Sequence, residues 1–255
     1  MIRELEAFFA ALRFFTRLPV PSWVGHSEQQ LEQAARYFPL IGVVVGTLGA
    51  LVTVATALRL PVTLAILAGM AATLLVTGAF HEDGLADAVD GFGGAWQKER
   101  VLEIMKDSRI GTFGAIAVTL MLLAKFNALV QIDALTGRRT LALALVAGHA
   151  LSRLASTALI SVLHYVREDD GAKSRPVVGR LPAAGLGLAA LFGLAPCVPL
   201  AAPRLWIAIG LVIVVTALAA RYFVRRIGGY TGDCLGAAQQ VAELAFYVGL
   251  LCVST

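Results

Sequence analysis

Seven apolar segments, each close to 20 residues long, limit more than any other feature how this chain folds. They cover about residues 39–58, 62–80, 111–132, 140–163, 183–201, 205–222 and 236–254. An apolar helix of about 20 residues spans the hydrocarbon core of a bilayer. Only 15% of the residues are charged, whereas soluble domains average about a quarter. We therefore predict an all-α, polytopic integral membrane helical bundle with about seven transmembrane helices.

The N-terminal residues 3–18 carry apolar side chains on one helical face, which consists of Leu5, Phe8, Phe9, Leu12 and Phe15. This pattern predicts an amphipathic helix that lies in the membrane interface. Neither an internal repeat nor a polar linker divides the chain. Residues 1–255 are therefore predicted to form a single membrane-embedded domain.

The distribution of lysine and arginine predicts the orientation. If the seven segments alternate across the membrane, fifteen of the 21 cations fall on the side of the N-terminus and four on the other side. Cytoplasmic loops carry the excess of these residues, which predicts a multi-pass protein of the cytoplasmic (inner) membrane. The polar loops 81–110, 164–182 and 223–235 then share the cytoplasmic side, where we expect the active site. No cationic cluster of the length that nucleic acid requires is present, so nucleic acid is excluded as a partner.

The densest polar motif begins the loop 81–110. Asp83, Asp87 and Asp90 are spaced i, i+4 and i+7, so their carboxylates share one face of a helix. Like charges repel there unless a cation joins them, and hard oxygen ligands suit Mg²⁺, Mn²⁺ or Ca²⁺. The alternative is a charged, solvated loop between membrane helices. The small and apolar residues between the aspartates favour the metal site.

Glycines and cations follow the aspartates. Gly93 and Gly94 allow a backbone to approach a ligand closely. The next polar run combines two cations, a hydroxyl and a carboxylate: Lys106, Asp107, Ser108 and Arg109. Cations and backbone N–H groups beside a carboxylate-held metal are what a pyrophosphate needs. These residues are candidates for substrate binding.

Of three further cations, Arg153 and Arg175 have two interpretations each and Lys125 has one. Arg153 lies inside the fourth apolar segment, where an unpaired arginine costs at least ~2.5 kcal/mol, and it either binds substrate or pairs with a buried carboxylate. Lys125 is expected to reach the far interface in a structural role. Arg175 belongs to the polar loop 164–182, which either covers a substrate or is simply solvated.

The last apolar segment opens with a polar stripe. Asp233, Gly236, Gln240 and Glu243 lie at i, i+3, i+7 and i+10 on one helical face. A carboxylate as deep as Glu243 needs a cation or a polar cavity. Gly232 allows a close approach to a ligand and is a candidate for substrate binding. Asp233, which follows it, is expected to border the pocket of Asp83, and the structural alternative is a helix cap.

The motifs resemble a known family. H-x-D-G-L-A-D-x-x-D-G at 81–91 and L-E-I-M-K-D-S-R-I-G-T-F-G at 102–114 closely resemble the cobalamin synthase family, the adenosylcobinamide-GDP ribazoletransferases. F-F-T-R-L-P-V-P at 14–21, F-P-L-I-G at 38–42 and G-G-Y-T-G-D-C-L-G-A at 228–237 extend the resemblance over essentially the whole chain. This chain departs from the family pattern at Gln240, where an acidic residue is common.

The resemblance implies a magnesium-dependent phosphotransferase of the last stage of cobalamin biosynthesis. Adenosylcobinamide-GDP would react with α-ribazole, or its 5′-phosphate, to give adenosylcobalamin, or its 5′-phosphate, and GMP. Asp83, Asp87 and Asp90 would hold Mg²⁺, with Asp233 and Glu243 as further metal ligands. Lys106 and Arg109 would hold the departing phosphate. His81 or one of the carboxylates would accept the hydroxyl proton.

The partners implied are the two substrates and the lipid bilayer, with a homo-oligomer or an association with other cobalamin-assembly enzymes left open. A cation-coupled membrane transporter is the alternative function, because buried carboxylates, Arg153 and glycine-interrupted helices suit one. The dense polar motif at one face of the membrane argues against it.

Overall fold

The computed structural model describes residues 2–25, 32–107, 109–166, 181–200 and 204–252. Ser108 and Arg175, two of the predicted substrate-binding residues, lie outside these ranges. The described residues form ten α-helices: α1 Ile2–Phe15, α2 Phe38–Thr56, α3 Val62–Thr77, α4 Phe80–Gly94, α5 Lys98–Ile104, α6 Thr112–Thr136, α7 Arg138–Val162, α8 Ala183–Leu194, α9 Arg204–Ile227 and α10 Gly232–Leu251. In these ranges the backbone adds 3₁₀ turns at Ala35–Tyr37 and Ala195–Cys197 and one isolated bridge, but no strand. The predicted all-α class is confirmed.

Five apolar helices are long enough to cross a membrane. They are Glu32–Thr56, Thr112–Thr136, Arg138–Val162, Arg204–Ile227 and Gly232–Leu251. The first of these consists of α2, the 3₁₀ turn Ala35–Tyr37 and the helical residues 32–34 before it. Their mean hydropathy, between 1.3 and 2.3, is that of membrane spans. The structure is therefore that of a multi-pass membrane protein, as the seven apolar segments predicted.

Two of the seven predicted segments differ from uninterrupted spans. The second, 62–80, ends in a bend of 83° between α3 and α4, where Gly78 and Ala79 both adopt left-handed backbone conformations with φ of 66° and 58°. The fifth, 183–201, forms the shorter apolar helix Ala183–Cys197, since Pro196 and Pro199 interrupt the run. Counting the bent pair as one span raises the number of long spans to six.

Helix α1 packs on the bundle through the apolar face that its periodicity predicted. Leu12 and Phe15 are buried, whereas Leu5 is 46% exposed. The Phe15 ring contacts Phe38 of α2 edge-on, with centroids 4.5 Å apart. Glu4 accepts a hydrogen bond of 2.7 Å from the Tyr37 hydroxyl. The amphipathic helix thus covers the cytoplasmic-side end of α2 in the predicted topology.

Close backbone contacts join the central helices. A Cβ atom on Gly46 of α2 would lie 2.7 Å from Cα of Val146 in α7, which no real side chain tolerates. Small residues at such crossings allow membrane helices to approach each other closely. Helix α7 consequently lies in the middle of the bundle, with 78% of its apolar 18-residue stretch buried.

Candidate active site at the crossing of α4 and α10

The three predicted metal ligands lie on one helix, as their spacing required, but they differ in burial. Asp83 is exposed, Asp87 is half-buried and Asp90 is buried on α4. Leu85, between the first two, is packed in the apolar core. The helix therefore presents carboxylates from surface to interior along one face.

Asp90 holds the N-terminus of α6. Its Oδ2 accepts a hydrogen bond of 2.7 Å from the backbone N–H of Gly111, and its Oδ1 accepts one of 2.8 Å from that of Gly114. A side chain on either glycine would strike the Asp90 carboxylate. Gly111 and Gly114 of the R-I-G-T-F-G motif are therefore needed because a larger side chain would collide with this carboxylate. The sequence pattern alone did not predict this contact.

Helices α4 and α10 cross through two glycines. A Cβ atom on Gly84 would lie 3.3 Å from Cα of both Asp233 and Gly236, and one on Gly236 would lie 3.1 Å from the carbonyl oxygen of His81. The backbone of Asp233 therefore lies against the residue that follows Asp83. Two motifs separated by about 140 residues in sequence meet at this crossing, as the single-site prediction required.

Asp233 does not cap α10. The N-cap is Thr231, whose Oγ1 accepts a hydrogen bond of 3.3 Å from the backbone N–H of Cys234. The turn before it is fixed by Tyr230, which donates a 2.9 Å hydrogen bond to the carbonyl of His164 after α7. The capping interpretation of Asp233 was therefore wrong, and Asp233 stands half-buried in the first turn of a helix whose capping position is already occupied.

A small cavity brings together three predicted site residues. It has a volume of about 40 Å³ and is lined by residues of α1, α2, α4, α7 and α10, among them His81, Arg153 and Gly232. The His81 ring stacks on Phe15, with centroids 5.1 Å apart. Phe14, Phe38 and Phe80 complete an aromatic wall.

Arg153 is 2% exposed and has an unsatisfied donor in this cavity wall. Its Nη1 donates a 3.0 Å hydrogen bond to the carbonyl of His149, and its Nε has no partner among the described residues. It forms no direct ion pair with a carboxylate in the described ranges, but Glu243 and Glu82 are near enough to interact with it electrostatically, so both the substrate-binding and the structural interpretation stay predictions.

The basic loop after α5 opens on a second, larger space. A cleft of about 610 Å³ is lined by Asp90, Gly94, Arg100, Asp107 and Arg109, together with residues of the α6 N-terminus. The Arg109 guanidinium donates to both Asp107 oxygens, at 2.9 Å from Nε and 2.6 Å from Nη2. These hydrogen bonds lower the pKa of Asp107 to about 2. The Arg109 side chain is 87% exposed, so its guanidinium is accessible from the cleft.

The cavity and the cleft lie at opposite ends of α4. His81 is in its first turn and Gly94 is its last residue, so the two ends are roughly 20 Å apart at 1.5 Å per residue. Gly93 packs against Phe113 of α6, since a Cβ atom there would lie 2.9 Å from that ring. Lys106 ends the turn after α5 and precedes Asp107, which lines the cleft.

Glu243, a predicted metal ligand, has protein partners. Its Oε2 lies 3.1 Å from Nζ of Lys125 and accepts a 2.8 Å hydrogen bond from Gln239, and its Oε1 accepts a 3.1 Å hydrogen bond from the Tyr247 hydroxyl. Lys125 is 4% exposed. The expectation that Lys125 reaches the far interface was wrong, because the buried carboxylate of Glu243 attracts it into the bundle.

Gln240 connects this buried cluster to α4. Its Oε1 accepts a 2.7 Å hydrogen bond from Lys125, and its Nε2 donates a 2.9 Å hydrogen bond to Oε1 of Glu82. Glu82 immediately precedes Asp83. Gln240 was set aside as a metal ligand, and the i, i+7 spacing from Asp233 was the signal that it shares a polar stripe with the site.

The donor set fits a hard divalent cation in part. No group of three or more histidine, cysteine, aspartate or glutamate side chains in the described ranges is arranged to hold a metal without further ligands. Asp90 is engaged by two N–H groups and Glu243 by a lysine. Asp83 and Asp87, one turn apart on α4, and Asp233, whose backbone packs against Gly84, are the other carboxylates at this crossing, and oxygen donors of this kind suit a hard divalent cation.

The comparisons with known proteins show the family. The family model described as Cobalamin-5-phosphate synthase matches residues 7–251. The chain belongs to this family. Among curated relatives, the adenosylcobinamide-GDP ribazoletransferase of Shewanella frigidimarina is 45% identical over 99% of this chain and 96% of its own length. The proteins of the same name from Shewanella amazonensis and Leptothrix cholodnii are 46% and 43% identical, each over 98% of this chain.

No solved structure matches the chain. The family that the motifs at 81–91, 102–114 and 228–237 indicated is confirmed over nearly the whole length. In this member of the cobalamin-5-phosphate synthase family, those motifs form α4, the start of α6 and the start of α10.

Proposed function

We propose that the protein is an adenosylcobinamide-GDP ribazoletransferase with its site at the cytoplasmic-side crossing of α4 and α10. Similarity over 96–99% of both chains to relatives of that name supports the activity. The observation that carries the site is the contact between Gly84 and Asp233, which joins the two acidic motifs. The cation-rich end of the bundle, in the topology that the lysine and arginine count predicts, supports the orientation.

The reaction is a displacement at phosphorus. A ribose hydroxyl of α-ribazole, or of its 5′-phosphate, forms a new bond to the phosphorus attached to cobinamide, the bond to the GMP oxygen breaks, and GMP leaves. The hydroxyl loses its proton to a base. Such reactions depend mainly on positioning and on neutralising charge.

Each residue group has a distinct task in this proposal. Asp83 and Asp87, with Asp233, would hold Mg²⁺, which when bound neutralises pyrophosphate charge. Lys106 and Arg109 neutralise the departing phosphate from the cleft side of α4. One of the α4 carboxylates, or His81, would accept the hydroxyl proton. Because His81, in the small cavity, lies roughly 20 Å from the cleft end of α4, a carboxylate is the better candidate for a base beside the departing phosphate. Arg153, with its unsatisfied Nε, contributes positive charge to the same cavity.

GMP release by the purified protein in lipid vesicles tests the proposal. We expect release from adenosylcobinamide-GDP to require both α-ribazole and Mg²⁺, and to be lost after chelation. Release that continues without α-ribazole would indicate a pyrophosphatase. Absence of any release, together with ion-driven uptake of a corrinoid into the vesicles, would instead support the transporter.

A further inference from the structure

An apolar groove lies on the side of α4 away from the loop cleft. It has a volume of about 560 Å³ and runs between α4, α9 and α10. Ala88, Ala219, Ala237 and Ala238 give it a floor of small side chains, and Phe92 and Tyr222 form one end. Ligand pockets typically measure about 300–1,000 Å³, so the groove is large enough for a ligand of substantial size.

The groove opens toward lipid. It borders α9, whose apolar 18-residue stretch is only 17% buried. Leu218, in the groove wall, and Val214, one turn before it, are 61% and 52% exposed. Because α9 has a mean hydropathy of 2.3, its exposed surface contacts hydrocarbon. The first molecules to meet this groove are therefore membrane lipids.

The aromatic end of the groove is rigid and positively charged. The guanidinium of Arg226 lies 5.3 Å from the ring centre of Phe92 and 5.4 Å from that of Tyr222, and its Nη2 donates hydrogen bonds of 3.1 Å and 2.6 Å to the carbonyls of Phe92 and Ala95. These contacts fix the end of α4 to α9. The groove is consequently present before any ligand binds.

Two further cations are available at this end. Arg221 and Arg225 are exposed in the last two turns of α9. Trp96, 85% exposed, lies 4.7 Å from the Arg226 guanidinium. Exposed tryptophan and arginine at a helix end are typical of the membrane–water interface, and basic pockets between membrane helices on the cytoplasmic side bind anionic head groups.

We propose that this groove is a binding site for an anionic glycerophospholipid. One acyl chain lies on the alanine floor, and the phosphate contacts Arg221 and Arg225. The combination of an apolar channel with cations at one end matches the two parts of such a lipid. The groove borders the α4–α10 crossing on the side of α9, and lipid binding there does not depend on the reaction proposed above.

Native mass spectrometry of the protein released from nanodiscs of equal parts phosphatidylglycerol and phosphatidylcholine tests this site. We expect phosphatidylglycerol to be retained preferentially. The double variant Arg221→Gln/Arg225→Gln should lose about fivefold of that preference per arginine. Its matched control, Arg59→Gln/Arg204→Gln, removes two arginines away from the groove and should keep the preference.

A second pair of variants tests the groove itself. Ala219→Phe fills the floor and should reduce retention of either lipid, whereas Ala217→Phe, on an exposed part of α9 that does not line the groove, should not. Equal retention of the two lipids by the unaltered protein, or unchanged retention in Ala219→Phe, would overturn the proposal. Neither outcome bears on GMP release, so the two proposals fail independently.

Discussion

Two acidic regions of this protein use the same residue types in opposite ways. At the α4–α10 crossing, Asp83 is exposed, and Asp87 in the middle of α4 and Asp233 in the first turn of α10 are half-buried. Deeper in the bundle, Glu243 is 3% exposed and contacts a lysine, a glutamine and a tyrosine. A carboxylate whose oxygens are occupied by protein donors stabilises the fold, whereas a carboxylate at the surface can accept a metal or substrate.

The buried region should show the largest effect on stability. Glu243→Leu leaves Lys125 buried without its carboxylate partner, with Gln240 as its remaining hydrogen-bond acceptor, and breaking such an ion pair costs about 3–5 kcal/mol. We expect the unfolding midpoint in detergent to fall accordingly. The double variant Glu243→Leu/Lys125→Leu removes both charges and should recover most of the loss. A single variant as stable as the unaltered protein would contradict the structural role of this pair.

The exposed region should show the largest effect on turnover. Asp83→Asn should lower GMP release at least about 100-fold, because even residues behind the direct metal ligands cost 10–100-fold. Stability and membrane insertion should be unchanged. Glu99→Gln, another exposed acidic residue on the same side, is the matched control and should remain active. Near-normal turnover in Asp83→Asn would indicate a solvated aspartate.

The helix crossing itself should be sensitive to one added methyl group. Gly84→Ala places a Cβ atom 3.3 Å from two backbone Cα atoms of α10, and such overpacking costs about 1–3 kcal/mol. Because the methyl group pushes Asp233 away from α4, turnover should fall as well. Gly210→Ala in α9, where a Cβ atom meets nothing within 4 Å, should be neutral or slightly stabilising in the same assays.

Asp90 should give the smallest change. Asp90→Asn keeps one oxygen that accepts an N–H bond from the α6 N-terminus, so we expect a stability loss of about 1 kcal/mol, the size of a lost cap. Turnover should fall far less than in Asp83→Asn. A loss of turnover equal to that of Asp83→Asn, without loss of stability, would make Asp90 a metal ligand after all.

The sequence predicted the helical class and the main site motifs for clear physical reasons. Apolar runs of about 20 residues fold as membrane-spanning helices. The i, i+4, i+7 spacing of Asp83, Asp87 and Asp90 placed the three carboxylates on one helix face. The meeting of Asp233 with α4 was also predicted, from the membrane side that both motifs share.

Partners across helices were harder to predict. Nothing in the local sequence of Lys125 distinguishes a side chain that reaches the interface from one that turns inward to Glu243, 118 positions later. The bend at Gly78 and Ala79 was not predicted because hydropathy remains high through it. Hydropathy averaged along the sequence does not depend on backbone conformation. Likewise, the pairing of Asp90 with Gly111 and Gly114 depends on how α4 and α6 pack.

A double-mutant cycle between Asp83 and Asp233 tests the shared site most directly. GMP release is measured for Asp83→Asn, Asp233→Asn and the double variant, with Asp83→Asn/Glu99→Gln as the reference for independent positions. If the two aspartates act on one metal or one pyrophosphate, the second substitution should cost far less in the Asp83→Asn background than alone. Effects that multiply, as the reference pair should, would contradict the shared site and separate α4 from α10 in the chemistry.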